Sequence, residues 1–112
     1  MVRPSDFKIK QSADGAGVRL SIEGELDMRT IGDLSARVAE QLSEGADRLT
    51  LDLRELAFMD SSGLRLLIEL HDRSHKEGWQ LKLFCPEHEA AALVLRATGA
   101  DKALPFEPAR DR

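Results

Sequence analysis

The sequence is poor in several things, and each shortage excludes something. A single cysteine, Cys85, occurs in 112 residues, so no internal disulfide can form. Tyrosine is absent, and four Phe and one Trp are too few for a platform on which nucleic-acid bases stack. There is no basic excess: 16 Lys and Arg face 20 Asp and Glu, a net charge of −4, which lacks the electrostatic footprint of a nucleic-acid binder. The longest apolar run, Ala90 to Leu95, falls far short of the roughly 20 residues of a membrane helix. Met1-Val2-Arg3-Pro4-Ser5-Asp6 offers no apolar stretch for a signal peptide, so a cytoplasmic location is expected. No Gly-rich phosphate loop, no Gly-x-Ser-x-Gly turn and no Cys-x-x-Cys pair is found, so neither an enzyme nor a bound cofactor is expected. His71 and His75 lie four apart, but two ligands are too few for a zinc site, and they are read as lining a helix surface. Cys85 is read as a small buried residue at a strand end.

What is present is the balance of a folded domain, 42% hydrophobic and 32% charged. The length suits one domain over residues 1–112, with an ordered core over about 6–106 and a polar tail over 107–112. Phe7 to Lys10 and Val18 to Glu23 alternate apolar with polar, and the turn cluster Asp14-Gly15-Ala16-Gly17 between them predicts an antiparallel hairpin. Gly24-Glu25-Leu26-Asp27 is read as breaking the second strand, with Asp27 as the cap of a helix bearing Ile31, Leu34, Val38 and Leu42. Leu49 to Leu53 forms the third strand, and Leu56 to Asp60 a connection. Ser61 or Ser62 opens a second helix with Leu64, Leu67, Ile68 and His71 on one face. Trp79 to Phe84 is the fourth strand. Pro86 suits the first turn of a third helix that stops at Gly99, and Ala103 to Phe106 adds a short edge strand.

Strands alternating with helices imply parallel crossovers. Each main strand alternates in polarity, which a sheet covered on both sides would not. The fold class expected is therefore α/β: a mixed, mostly parallel sheet with an N-terminal antiparallel hairpin and helices packed on one face. Lys8, Arg19, Ser21, Glu23, Thr50, Asp52, Gln80 and Lys82 are expected on the other face, toward water or a partner.

The informative stretch is Phe58-Met59-Asp60-Ser61-Ser62-Gly63-Leu64, at a strand-to-helix junction. Capping needs one such polar residue, and here there are three. Gly63 is a poor helix former inside the first turn, and is read as leaving the serine hydroxyls open to a partner's active site. With Gly24-Glu25-Leu26-Asp27 and the 33-position separation of Asp27 from Asp60, this stretch resembles the STAS domain, in particular the anti-sigma factor antagonists. The resemblance runs from about the first strand through Gly99.

That resemblance implies a function and a site. Ser61, directly after the loop aspartate, is the implied phosphate acceptor, with Ser62 the alternative. The unphosphorylated protein binds an anti-sigma factor that is itself a serine kinase and so frees a sigma factor. Phosphorylation ends the binding, and a separate serine phosphatase resets it. Met59, Asp60, Gly63 and Leu64 frame the implied docking patch with both serines, and Glu25 and Asp27 stand at its rim. Capping and core roles compete for the same residues. The state expected is a monomer or weak dimer. A STAS scaffold or accessory subunit of another signalling or transport assembly is the alternative.

Overall fold

The computed structural model describes residues 6–108. The stretch read for a signal peptide lies almost wholly outside them, as does most of the polar tail. The order is β1 (Lys8–Asp14), β2 (Gly17–Leu26), α1 (Ile31–Ser43), β3 (Arg48–Asp52), β4 (Leu56–Met59), α2 (Ser61–Glu77), β5 (Gln80–Phe84), α3 (Glu89–Thr98) and α4 (Ala100–Ala103). The sheet runs β1-β2-β3-β5, with β1 antiparallel to β2 and the other pairs parallel. The α/β class, the hairpin and the parallel crossovers are as the sequence predicts.

The sheet's apolar side carries the core. Leu20, Ile22, Leu49, Leu51, Leu81 and Leu83 are buried and join Leu34 and Val38 of α1 and Leu67 and Leu70 of α2 in one cluster. The α2 face differs from the expected one: Leu64, Leu66, Leu67 and Leu70 are buried, whereas Ile68 is 43% exposed.

The opposite side of the sheet is less open than its alternation suggests. Thr50 and Asp52 are buried rather than facing water. The Thr50 hydroxyl donates to Asp14, and the guanidinium groups of Arg19 and Arg54 both reach Asp52 while stacking over the Phe84 ring. Burial by itself pushes the Asp52 carboxyl up. The bonds from Arg54 and the charges of Arg54 and Arg19 outweigh it and hold the group below the ordinary Asp range.

Five local expectations are corrected. Gly24 does not end β2 but kinks it: the pairing register shifts between Gly24 and Glu25, and the strand runs on to Leu26. Gly24 has φ +99°, and a Cβ there would lie 2.9 Å from the Phe7 Cα. Leu56 to Met59 is a strand, β4, paired parallel to β2 with Leu26 opposite Met59. Pro86 precedes α3 instead of opening it, because the Glu87 N–H donates to the Arg54 carbonyl and holds the chain as a loop until His88. Residues 100–103 form α4, and only Phe106 makes a strand-like bridge, to Leu83. Cys85 is exposed beyond the end of β5, not buried. Among the described residues no helix is long and apolar enough to cross a membrane.

Candidate functional site

Two loops follow two neighbouring parallel strands, so the topology brings them to one end of the sheet. The second junction, β4 to α2, is the simpler. The Asp60 N–H donates to the Leu26 carbonyl at 3.2 Å, which ties it to the end of β2. Asp60 itself is extended and caps α2, accepting from the N–H groups of Ser62 at 2.8 Å and Gly63 at 3.2 Å. Ser61 is then the first helical residue and is exposed, while Ser62 is half-buried.

Gly63 is buried, and its reason is steric. A Cβ there would sit 2.7 Å from Met59 Cγ and 2.8 Å from the Leu26 carbonyl oxygen. Real Cβ atoms do not approach so closely, so the first turn of α2 can lie on the ends of β2 and β4 only with glycine at this place. Met59, 2% exposed, and Leu64, 9% exposed, pack in the same core. In this conformation Met59, Gly63 and Leu64 support the loop from beneath, and Asp60, Ser61 and Ser62 form its outer part.

The first junction, β2 to α1, is built on Arg29. The Arg29 guanidinium reaches Asp27 Oδ2 at 2.7 Å and Glu25 Oε1 at 2.8 Å, and its own peptide N–H donates to Asp27 Oδ1 at 2.9 Å. The hydrogen bond from the Arg29 side chain holds the Asp27 carboxyl below the usual carboxylate range, against the opposing effect of its burial. Asp27 is therefore not the cap of α1. That position belongs to Thr30, whose hydroxyl turns back to donate to the Glu25 carbonyl at 2.7 Å and to accept from the Asp27 N–H at 3.0 Å. Sequence reading missed Arg29 and Thr30. The alternation of acid, acid and base at Glu25, Asp27 and Arg29 is the signal that would have found the first.

A groove of about 480 Å³ runs between α1 and α2 from these junctions, and Ser62 and Arg65 line it with the exposed Met28. A second concavity, of about 420 Å³, lies toward the other end of α2 around His71, His75 and Trp79, and none of residues 58–64 lines it. The His71 and His75 rings meet edge to face at 4.7 Å. Among the described residues no group of three His, Cys, Asp or Glu side chains is placed to hold a metal ion.

Residues 9–105 match the family described as Mlab, STAS domain, and the chain belongs to that family of STAS domains. Solved structures share the fold. An anti-sigma factor antagonist from Mycobacterium paratuberculosis superposes with a TM-score of 0.81 at 23% identity, covering 97% of this chain and 92% of that one. The anti-sigma factor antagonist SpoIIAA in its unphosphorylated form gives 0.73 at 20% identity, over 93% and 90%. The Bacillus cell fate determinant SpoIIAA in the phosphorylated form gives 0.66 at 21% identity, over 94% and 92%.

Proposed function

We propose that this chain is an anti-sigma factor antagonist, a single-domain binding protein and kinase substrate. Its unphosphorylated form binds an anti-sigma factor serine kinase and releases a sigma factor. Phosphorylation in the Asp60-Ser61-Ser62-Gly63 loop switches the binding off, with Ser61 the acceptor and Ser62 the alternative. A serine phosphatase restores the binding form.

The observation that carries this reading is that Ser61 is an exposed residue at the start of α2, on a loop whose backbone is fixed by Asp60 and Gly63. A phosphate adds about −1.5 to −2 charge and three acceptor oxygens. At this position the helix dipole favours an anion, and Arg65, one turn on, supplies a cation, while Asp60 opposes it. The fold therefore tolerates the phosphate. The cost falls on a partner surface that has docked a neutral hydroxyl and now meets an unpaired, desolvated dianion. That one structural neighbour exists in both a phosphorylated and an unphosphorylated form agrees with such a switch.

The test is intact mass with site mapping after incubation in an extract of the source cell with Mg-ATP, wild type beside Ser61→Ala. One phosphate on wild type and none on Ser61→Ala is expected. A phosphate kept on Ser61→Ala moves the site to Ser62 or elsewhere. No phosphate on either, in an extract active on another substrate, favours the scaffold or accessory subunit. Ser61→Asp is expected to melt near wild type and to lose the partner. An unfolded Ser61→Asp protein would remove the interface explanation.

A further inference from the structure

The concavity near the C-terminal end of α2 is lined from both sides of the sheet. Leu81, Trp79 and, on α2, His75 come from the core side. Arg48, Thr50 and Lys82 come from the opposite side. Pro105 and Glu107, which lie beyond β5, complete the lining, so the concavity follows the outer edge of β5 from one side of the sheet to the other.

That edge is open at one peptide unit. The Gln80 N–H donates to the Asp47 carbonyl and the Phe84 carbonyl accepts from Leu53, so the even-numbered residues of β5 turn their backbone groups toward β3. The odd-numbered residues turn theirs outward. Leu83 is covered there: its N–H donates to the Pro105 carbonyl, and its carbonyl accepts from the Glu107 N–H. Among the described residues no backbone group does the same for Leu81. In that register its carbonyl would accept from residue 105, and proline has no N–H to give. Its N–H would meet residue 103, which is turned into α4. The bridge is parallel, so the chain runs on toward Phe84 and away from Leu81.

Charge says what such an edge receives. Most described arginines hold a carboxylate, yet among the described residues Arg48 and Lys82 hold none. Of the two acids in the lining, Asp14 is engaged by Thr50 and Arg19, and Glu107 belongs to the segment at Leu83, beyond the open unit. A strand laid against Leu81 points alternate side chains to the two sides of the sheet. One set would lie by Trp79 and His75, and the other by Lys82 and Arg48. A second copy of the chain joined there edge to edge would bring Lys82 toward its own counterpart, like charge to like.

We infer that the open edge of β5 at Leu81 takes an extended acidic segment of a partner protein as an added strand, with acidic residues on the Lys82 side and apolar residues on the Trp79 side. The site lies at the far end of α2 from Ser61 and does not rest on the functional reading above.

The experiment uses the full chain and a synthetic probe, acetyl-Glu-Val-Glu-Val-Glu-amide. Trp79 is the only tryptophan of the chain, so its emission reports on the concavity, and hydrogen exchange at the Leu81 N–H reports on strand pairing. A saturable change in emission with a Kd on the order of 10⁻⁴ to 10⁻³ M is expected, together with slower exchange at Leu81. Lys82→Glu, at an exposed position, is expected to melt as wild type does and to bind the probe about tenfold weaker. Arg48→Glu is expected to weaken binding in the same direction. Lys102→Glu, on α4 and outside the concavity, is expected to bind as wild type does. No saturable change would overturn the proposal, as would binding that leaves exchange at Leu81 unaltered. A probe with lysine in place of each glutamate that binds equally well would also overturn it. Self-association of the wild type that slows exchange at Leu81 without any probe would give the edge to a second copy and overturn the proposal as stated.

Discussion

The two strand-to-helix junctions look alike in sequence and differ in construction. Each has an aspartate directly after a strand, Asp27 after β2 and Asp60 after β4, and each has a glycine in the first turn of the next helix. Asp60 caps its helix, whereas Asp27 is held by Arg29 and caps nothing. Gly63 is wedged against Leu26 and Met59, whereas Gly32 faces open space. The same residue types serve packing at one junction and accessibility at the other. Only the neighbours decide which.

The contrast is sharpest at the glycines. Gly63→Ala forces the first turn of α2 off the Leu26 carbonyl and Met59, and a loss of about 1–3 kcal/mol is expected in urea unfolding. A variant as stable as wild type would mean that the turn shifts freely. Asp60→Ala removes the acceptor for two N–H groups and is expected to cost about 1 kcal/mol in the same assay. Gly32→Ala should run the other way, with a gain of about 0.5–1 kcal/mol. A loss there would show that α1 is as tightly constrained as α2.

The smallest expected effect separates the two aspartates by pH. With its folded-state pKa lowered by Arg29, Asp27 contributes stability that is present above the ordinary Asp value of 3.8 and is lost as pH falls through the folded value. Wild type minus Asp27→Asn in urea unfolding should therefore be smaller near pH 3 than near pH 7. Asp52, whose carboxyl is also held low, is common to both chains and cancels. A difference that does not change with pH would mean that the Arg29 contacts do not favour the ionised form.

Much of this was legible in the sequence. Period-two alternation placed β1, β2, β3 and β5, and Leu34, Val38 and Leu42 at helical spacing placed α1. The β4–α2 junction stood out because three polar residues exceed what one cap needs, and the structure places Asp60 there as the cap of α2. β4 was not legible, since four apolar residues in a row carry no period and its pairing depends on residues far earlier in the chain, with Gly24 opposite Leu56 and Leu26 opposite Met59. The cap of α1 was misplaced because Asp27 and Thr30 are both good caps, and only the position of the Arg29 side chain distinguishes them. The meaning of Gly63 was hidden for the same reason: its constraint comes from Leu26, distant in sequence.

The central place of β2 has a consequence for how the chain folds. It pairs with β1, β3 and β4, so three pairings are anchored on one ten-residue strand. The β1–β2 pairing closes across Gly15 and Ala16 alone, which is quick and costs little loop entropy. The β2–β3 and β2–β4 pairings must each enclose α1, and loops of that length close more slowly. The hairpin and α1 are thus the pieces available first. The end of the sheet that carries Asp27 and Asp60 is complete only when β4 pairs with β2, so loop-closure entropy predicts that the β4–α2 junction forms late.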